Sequence, residues 1–185
     1  LPLILFIVSA SWIPLIIKWN FLLKNCKIYI PFRKSILVYL SGTALQITPG
    51  HIGELIKAQI LKTGFNIPRT KTASVVLVEK VYDLIGAIVA SIIGIIILEL
   101  EIYLIILAVF ILFLIFFFIY YKPAFEFFLR RIIKMKFFSK YTENISESYE
   151  VIKKSTAPKV AIFSIFLSIT YWFIVSVAVY YTLLA

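Results

Sequence analysis

Long apolar runs are the feature of this chain that most limits its fold, because some reach the roughly 18 residues that can cross a bilayer as a helix. Hydrophobic residues make up 62% of its 185 residues, well above the roughly 45–50% typical of soluble domains. Lipid offers no hydrogen-bond partners, so a spanning segment must satisfy its backbone groups internally, as a helix does. The sequence therefore predicts an all-α, polytopic integral membrane helix bundle.

The order of apolar and basic segments predicts the topology. We expect full spans at about residues 1–17, 72–98, 102–121 and 160–184. Residues 18–34 hold five basic residues and no acid, residues 62–71 are also basic, and residues 122–159 hold nine basic residues against four acids. Because Lys and Arg concentrate on the cytoplasmic side, these three segments are predicted to be cytoplasmic in a multi-pass protein of the cell membrane. The segment 122–159 is further predicted to be amphipathic and to lie on the membrane surface.

The net charge of +10 has a membrane explanation. The basic residues flank apolar spans, which suits an anionic leaflet, so we predict no nucleic-acid partner. One cysteine, Cys26, and one histidine, His51, form no metal-ligand cluster, and we predict no metal and no cofactor. His51 is interpreted as a packing residue, with a proton acceptor as the alternative.

A helix break interrupts the apolar sequence between residues 46 and 57. Pro49 lacks an amide hydrogen and forces Thr48 toward an extended conformation, while Gly50 and Gly53 allow the chain to turn. The arms on either side are too short for an apolar core of about 30 Å. Together with basic flanks on both sides, this predicts a re-entrant helical hairpin at about residues 35–62. The alternative is a continuous span kinked at the proline, which would place one basic flank outside.

Five charged residues fall within or beside the predicted membrane segments: Glu54, Lys57, Glu79, Lys80 and Asp83. Each such charge costs about 2.5–3.5 kcal/mol on insertion scales, so these residues are usually paired or functional. Glu79 and Asp83 are four residues apart and share a helical face, about 10 and 16 Å below the surface. Two interpretations remain open. The charges neutralise one another and hold the hairpin to the long helix, or they serve a function as well, by accommodating the headgroup of an amphiphile or as a proton-coupled carboxylate pair.

Small residues predict one close helix contact, and the sequence offers no catalytic set. Gly86, Ser91 and Gly94 form a stripe suited to close packing on the long helix. The chain contains no Asp-x-x-Asp pair and no Ser/His/Asp set, so we predict no catalytic residues.

Two motifs resemble a known family. Pro49-Gly50-x-x-Gly53-Glu54-x-x-Lys57 is followed by Glu79-Lys80-x-x-Asp83, and this pair resembles the flippase-like membrane domain named for the transmembrane region of lysylphosphatidylglycerol synthase. The chain resembles roughly the first two-thirds of that domain, as an incomplete archaeal or bacterial member. Lys57 and Lys80 stand where the family typically has arginine, and lysine cannot grip a phosphate with two parallel hydrogen bonds.

The resemblance implies movement of a charged or glycosylated lipid between leaflets in envelope lipid or glycan assembly. The five charged residues are then expected to bind the substrate. The expected partners are anionic lipids or lipid-linked glycans, with a homo-oligomer or an envelope-assembly protein as further possibilities. The aminoacyl-transfer domain of fused family members is absent, so we do not expect an enzyme. The alternatives are a non-transporting subunit of an assembly complex and a membrane enzyme acting on lipid-linked sugar.

Overall fold

The computed structural model describes residues 2–45, 54–97, 99, 102–120 and 145–183. These residues form helices joined by turns, and the described part of the chain contains no strand. The helices are α1 (Pro2–Asn25), α2 (Phe32–Ala44), α3 (Ile56–Phe65), α4 (Arg69–Ile97), α5 (Ile102–Tyr120), α6 (Ile145–Ser155) and α7 (Pro158–Leu183). The prediction of an all-α membrane helix bundle is confirmed.

Three of the described helices, α1, α4 and α7, are long and apolar enough to cross a membrane. They have 24, 29 and 26 residues. Helix α5 has 19 residues, and its sequence is apolar throughout. The four-span topology and its sidedness remain predictions.

The first helix is longer than its sequence predicted. A span ending near residue 17 was expected because Lys18 is charged, but α1 continues to Asn25 and encloses Lys18. The helix ends where Lys27 adopts a left-handed conformation, with φ of 56°, and the Ile28 amide donates to the Leu23 carbonyl. This arrangement satisfies carbonyl groups that the helix end would otherwise leave free. The predicted basic loop at 18–34 is thus helical over residues 18–25 and again over residues 32–34.

Helices α2 and α3 lie on either side of the predicted break. Their 13 and 10 residues correspond to about 20 and 15 Å at the usual rise per residue, each short of a bilayer core. Asn66 ends α3 in a left-handed conformation, which asparagine tolerates better than most residues. The break itself, with Thr48, Pro49, Gly50 and Gly53, lies outside the described residues, so the re-entrant hairpin remains a prediction.

Helices α1, α4 and α7 form the centre of the structure. The Phe21 and Phe163 rings are 4.7 Å apart, and Lys18 donates to Ser168. In these two contacts the lower residue number on α1 is paired with the higher residue number on α7, so the two helices are antiparallel. A Cβ added to Gly86 of α4 would lie 2.5 Å from the Ser168 Cβ, so the missing side chain lets α4 approach α7.

Only one member of the predicted small-residue stripe is used in this way. No described atom outside the helix lies within 4 Å of a Cβ added to Gly94. The Ser91 side chain is exposed and bonds to Ala87 of its own helix. The stripe failed as a prediction beyond Gly86 because α7 crosses α4 at that level, and crossing points depend on three-dimensional packing.

Helix α6 is docked against the bundle rather than separate from it. Val151 and Ile152 are buried, the Tyr82 hydroxyl donates to the Ser155 carbonyl at 2.7 Å, and the Cys26 thiol lies 3.2 Å from the Ser155 hydroxyl. Burial raises the pKa of Cys26 more than that hydrogen bond lowers it. The remainder of the predicted amphipathic segment, residues 121–144, lies outside the described residues.

Candidate functional site: a buried ion cluster

The five charged residues singled out from the sequence come together in the structure. Lys57, in the first turn of α3, places its Nζ 3.0 Å from a Glu54 oxygen and 3.1 Å from a Glu79 oxygen. Lys80 pairs with the other oxygen of Glu54 and lies 3.8 Å from Asp83. These contacts join α3 to α4, as the pairing interpretation expected.

A sixth charged residue, Lys18, completes the cluster and was missed from the sequence. Its ammonium pairs with Asp83 and donates to the Ser168 hydroxyl at 2.9 Å. Ser168 also donates to Asp83 at 3.3 Å, so α1, α4 and α7 meet at one carboxylate. A signal was present in the sequence: Phe21, Leu22 and Leu23 follow Lys18, so the charge lies inside an apolar stretch and not at its end.

Two aromatic rings and a glycine surround Lys57. Its Nζ lies 4.8 Å from the ring centroid of Trp19 on α1 and 4.4 Å from that of Tyr39 on α2. Cation–π contacts of this kind stabilise a desolvated ammonium by about 2 kcal/mol. A Cβ on Gly42 of α2 would lie 2.4 Å from the Lys57 Cε. The absence of a side chain at Gly42 therefore leaves the space through which the lysine reaches the carboxylates.

The cluster consists of two halves with different access. We define the closed half as Glu54, Lys57 and Glu79, whose side chains are at most 1% exposed. We define the open half as Lys18, Lys80 and Asp83, where Lys18 is buried but Lys80 and Asp83 are 28% and 18% exposed. Lys80 and Asp83 are therefore the accessible members of the cluster in the described part of the structure.

The two halves also carry opposite charge. The closed half has one ammonium and two carboxylates, for a net charge of −1, and the open half has two ammoniums and one carboxylate, for +1. The described cluster is therefore neutral overall. The contact between Lys80 and Glu54 joins the halves. Neutrality matters here because the cost of an uncompensated charge in a low-dielectric interior is several kcal/mol.

Two buried polar atoms beside Lys57 have no hydrogen-bond partner among the described residues. They are the Oε1 oxygen of Glu79 and the indole nitrogen of Trp19. Buried polar groups are normally hydrogen-bonded, so such exceptions call for an explanation. The second oxygen of Glu79 is the least compensated carboxylate oxygen in the described part of the cluster.

The carboxylates of the cluster are arranged for ion pairing with lysines. The described residues contain no group of three or more His, Cys, Asp and Glu side chains placed to hold a metal ion. The three carboxylates of the cluster each contact at least one lysine. His51 lies outside the described residues.

The long apolar helices around a shared polar cluster define the class of this molecule: an all-α membrane protein with an ion network in its helix bundle. The model of the family described as "Lysylphosphatidylglycerol synthase TM region" matches residues 1–185. The chain belongs to that family, which confirms the resemblance carried by the Glu54–Lys57 and Glu79–Asp83 motifs. None of the curated proteins matches the chain, and none of the solved structures does.

Proposed function

We propose that this protein moves a lipid with a phosphate-bearing headgroup, charged or glycosylated, between the leaflets of the cell membrane. Membership of a family of membrane domains that are often flippase-like supports the proposal. The observation that carries it is the open half of the cluster, where Lys80 and Asp83 are accessible and the charge is +1. A phosphate is attracted to an excess of positive charge that lies within reach of its headgroup.

Recognition in this proposal begins at Lys80. A phosphate that contacts Lys80 competes with Glu54 and Asp83, and each of these carboxylates keeps a second lysine, Lys57 or Lys18. Lys80 can therefore change partner while Glu54 and Asp83 each keep one ion pair, although the closed half then carries a net charge of −1. Lysine offers a point charge rather than a planar fork, so this contact selects for charge more than for headgroup shape. The lipid tails stay in the bilayer while the headgroup crosses.

The proposed orientation places one end of the bundle in the cytoplasm. Ten basic residues lie at or near the C-terminal ends of α1, α3 and α6 and the N-terminal ends of α2, α4 and α7: Lys24, Lys27, Arg33, Lys34, Lys62, Arg69, Lys71, Lys153, Lys154 and Lys159. Positive charge of this kind favours the cytoplasmic side. An anionic leaflet at that face also raises the local concentration of the proposed substrate.

A second candidate function is a non-transporting subunit of a lipid or glycan assembly complex. The observation that favours it is that the described cluster is internally neutral, with every lysine already paired. In that case the ions only hold α1, α3 and α4 together. Neither the transport proposal nor this alternative includes a catalytic step.

Lipid translocation in proteoliposomes tests the proposal. Acyl-labelled fluorescent phosphatidylglycerol, phosphatidylcholine and a polyprenyl-phosphate sugar are each followed by chemical quenching of the outer leaflet. We expect at least one phosphate-bearing lipid with net negative charge to move faster than in protein-free vesicles, and Lys80→Met to abolish the movement. Lys154→Met, at an exposed pair on α6, is the matched control and should leave it intact. No movement with the wild-type protein would favour the subunit alternative.

A further inference from the structure

We propose that Glu79 takes up a proton when a phosphate-bearing headgroup binds Lys80, so that headgroup and proton cross the membrane together. This inference rests on the proposed function and adds the identity of the coupled ion. It starts from the unequal charge of the two halves of the cluster.

Binding of the headgroup unbalances the closed half. In the structure, Lys80 compensates the excess carboxylate of the closed half through its contact with Glu54. A phosphodiester with a charge of −1 neutralises Lys80. The closed half then has only Lys57 to compensate its two carboxylates, Glu54 and Glu79. One uncompensated negative charge would then lie among side chains that are at most 1% exposed. An uncompensated charge is costly there, because the low-dielectric interior does not replace the solvation that water would give it.

A proton on one carboxylate of the closed half restores neutrality, and the contacts single out Glu79. Glu54 contacts Lys57 with one oxygen and Lys80 with the other. Glu79 contacts Lys57 through Oε2, while its buried Oε1 has no hydrogen-bond partner among the described residues. Protonation at Oε1 therefore converts the less compensated carboxylate into a neutral carboxyl group and leaves the ion pair of Glu54 and Lys57 in place.

The described groups around Glu79 come from four helices. Lys57 of α3 contacts it directly, and the rings of Trp19 on α1 and Tyr39 on α2 lie against that lysine. On its own helix, α4, Lys80 follows it and pairs with Glu54, and Asp83 is paired with Lys18. Both oxygens of Glu54 and both oxygens of Asp83 face a lysine, whereas only Oε2 of Glu79 does so among the described contacts.

The charge balance of the proposed step is simple. A proton from the water on the entry side binds Glu79 as the phosphate pairs with Lys80, and the proton returns to water on the exit side as the phosphate leaves. One negative headgroup and one proton cross in each cycle, so the movement transfers no net charge. Glu54 contacts both Lys80 and Lys57 and so links the open half to the closed half.

The test measures the leaflet distribution of a lipid under a pH difference. Phosphatidylcholine vesicles with the protein and a trace of acyl-labelled phosphatidylglycerol are held at one pH unit across the membrane, with the potential clamped at zero by valinomycin and equal potassium. One-proton coupling predicts a steady-state leaflet ratio of about tenfold, because one pH unit corresponds to a factor of ten per proton. Labelled phosphatidylcholine, which has no net charge, should stay near a ratio of one.

Glu79→Gln is the decisive variant because glutamine imitates the protonated carboxyl group. The closed half is then neutral with Lys57 and Glu54 alone, so phosphatidylglycerol should follow an imposed membrane potential and ignore the pH difference. Glu150→Gln, at an exposed pair on α6, should keep the wild-type response. The wild-type measurement decides the question by itself if Glu79→Gln does not fold.

The outcomes separate this inference from the proposed function. If the wild-type protein distributes phosphatidylglycerol according to the membrane potential and not according to the pH difference, that result overturns proton coupling but leaves the transport proposal intact. If neither phosphatidylglycerol nor a labelled polyprenyl-phosphate sugar moves in the same assay, the transport proposal itself is overturned.

Discussion

The closed and open halves of the ion cluster use the same residue types in opposite ratios. In the closed half one lysine serves two carboxylates, and in the open half one carboxylate serves two lysines. The closed half is sealed by the aromatic rings of α1 and α2, whereas the open half reaches the surface of the bundle. The same residue types therefore have different roles at different positions in the fold. Buried ions hold helices together, and partly exposed ions are accessible to a ligand.

The largest expected effect on stability comes from Lys57→Met, which tests the structural role of the closed half. It leaves Glu54 and Glu79 without their shared buried cation, and breaking a buried pair in this way costs about 3–5 kcal/mol. We expect a large fall in the midpoint of thermal unfolding in detergent, or loss of folded protein. Lys62→Met, five residues further along α3 at a partly exposed position where Lys62 bonds to Asn66, is the control. Equal stability of both variants would contradict a structural role.

The next effect is expected from Lys18→Met, which tests whether α1 is fixed through Asp83. Asp83 keeps Lys80 and Ser168, so we expect a smaller loss than for Lys57→Met, at about 2–3 kcal/mol as for a hydrogen bond to a charged group. A double variant with Asp83→Asn should lose less than the sum of the single variants, because the two residues are in contact. Additive losses in chemical unfolding would show that Lys18 and Asp83 act independently.

A glycine comparison tests how closely α4 and α7 must approach beside the open half. At Gly86, an alanine Cβ would lie 2.5 Å from the Ser168 Cβ and 2.8 Å from its backbone carbonyl carbon, so Gly86→Ala should cost about 1–3 kcal/mol by overpacking. Gly94→Ala on the same helix meets no described atom within 4 Å. It should be neutral or stabilising by up to about 1 kcal/mol through helix propensity. Thermal unfolding of the Gly86→Ala and Gly94→Ala variants measures which substitution lowers stability more.

The smallest effect on stability is expected from Lys80→Met, although it should have the largest effect on transport. Lys80 is 28% exposed, its partners each keep another lysine, and a proton on Glu79 can replace the positive charge that the closed half loses. We therefore expect a smaller loss of stability than for Lys57→Met or Lys18→Met. Lipid translocation by the same variant should fall to the background of protein-free vesicles. A strongly destabilised Lys80→Met protein would remove the distinction between the two halves.

The pattern of the sequence was enough to predict the fold class, the family and five of the six ions. Apolar runs, the motif containing Glu54 and Lys57, and the spacing of Glu79 and Asp83 are local features that need no knowledge of packing. Lys18 was assigned to a loop because a charge after 17 apolar residues resembles the end of a span. Its burial depends on Asp83 and Ser168, 65 and 150 residues away, and no local pattern indicates such distant partners.

The sequence by itself determined that this chain forms membrane helices and that charged residues lie within or beside the apolar segments, because hydrophobicity and helical spacing are properties of neighbouring residues. Only the tertiary structure decided how those charges are shared. It placed Lys57 between two carboxylates, Asp83 between two lysines, and left one oxygen of Glu79 without a partner among the described residues. The reason is physical: an ion pair depends on a few ångströms between atoms from different helices, and helix packing sets that distance.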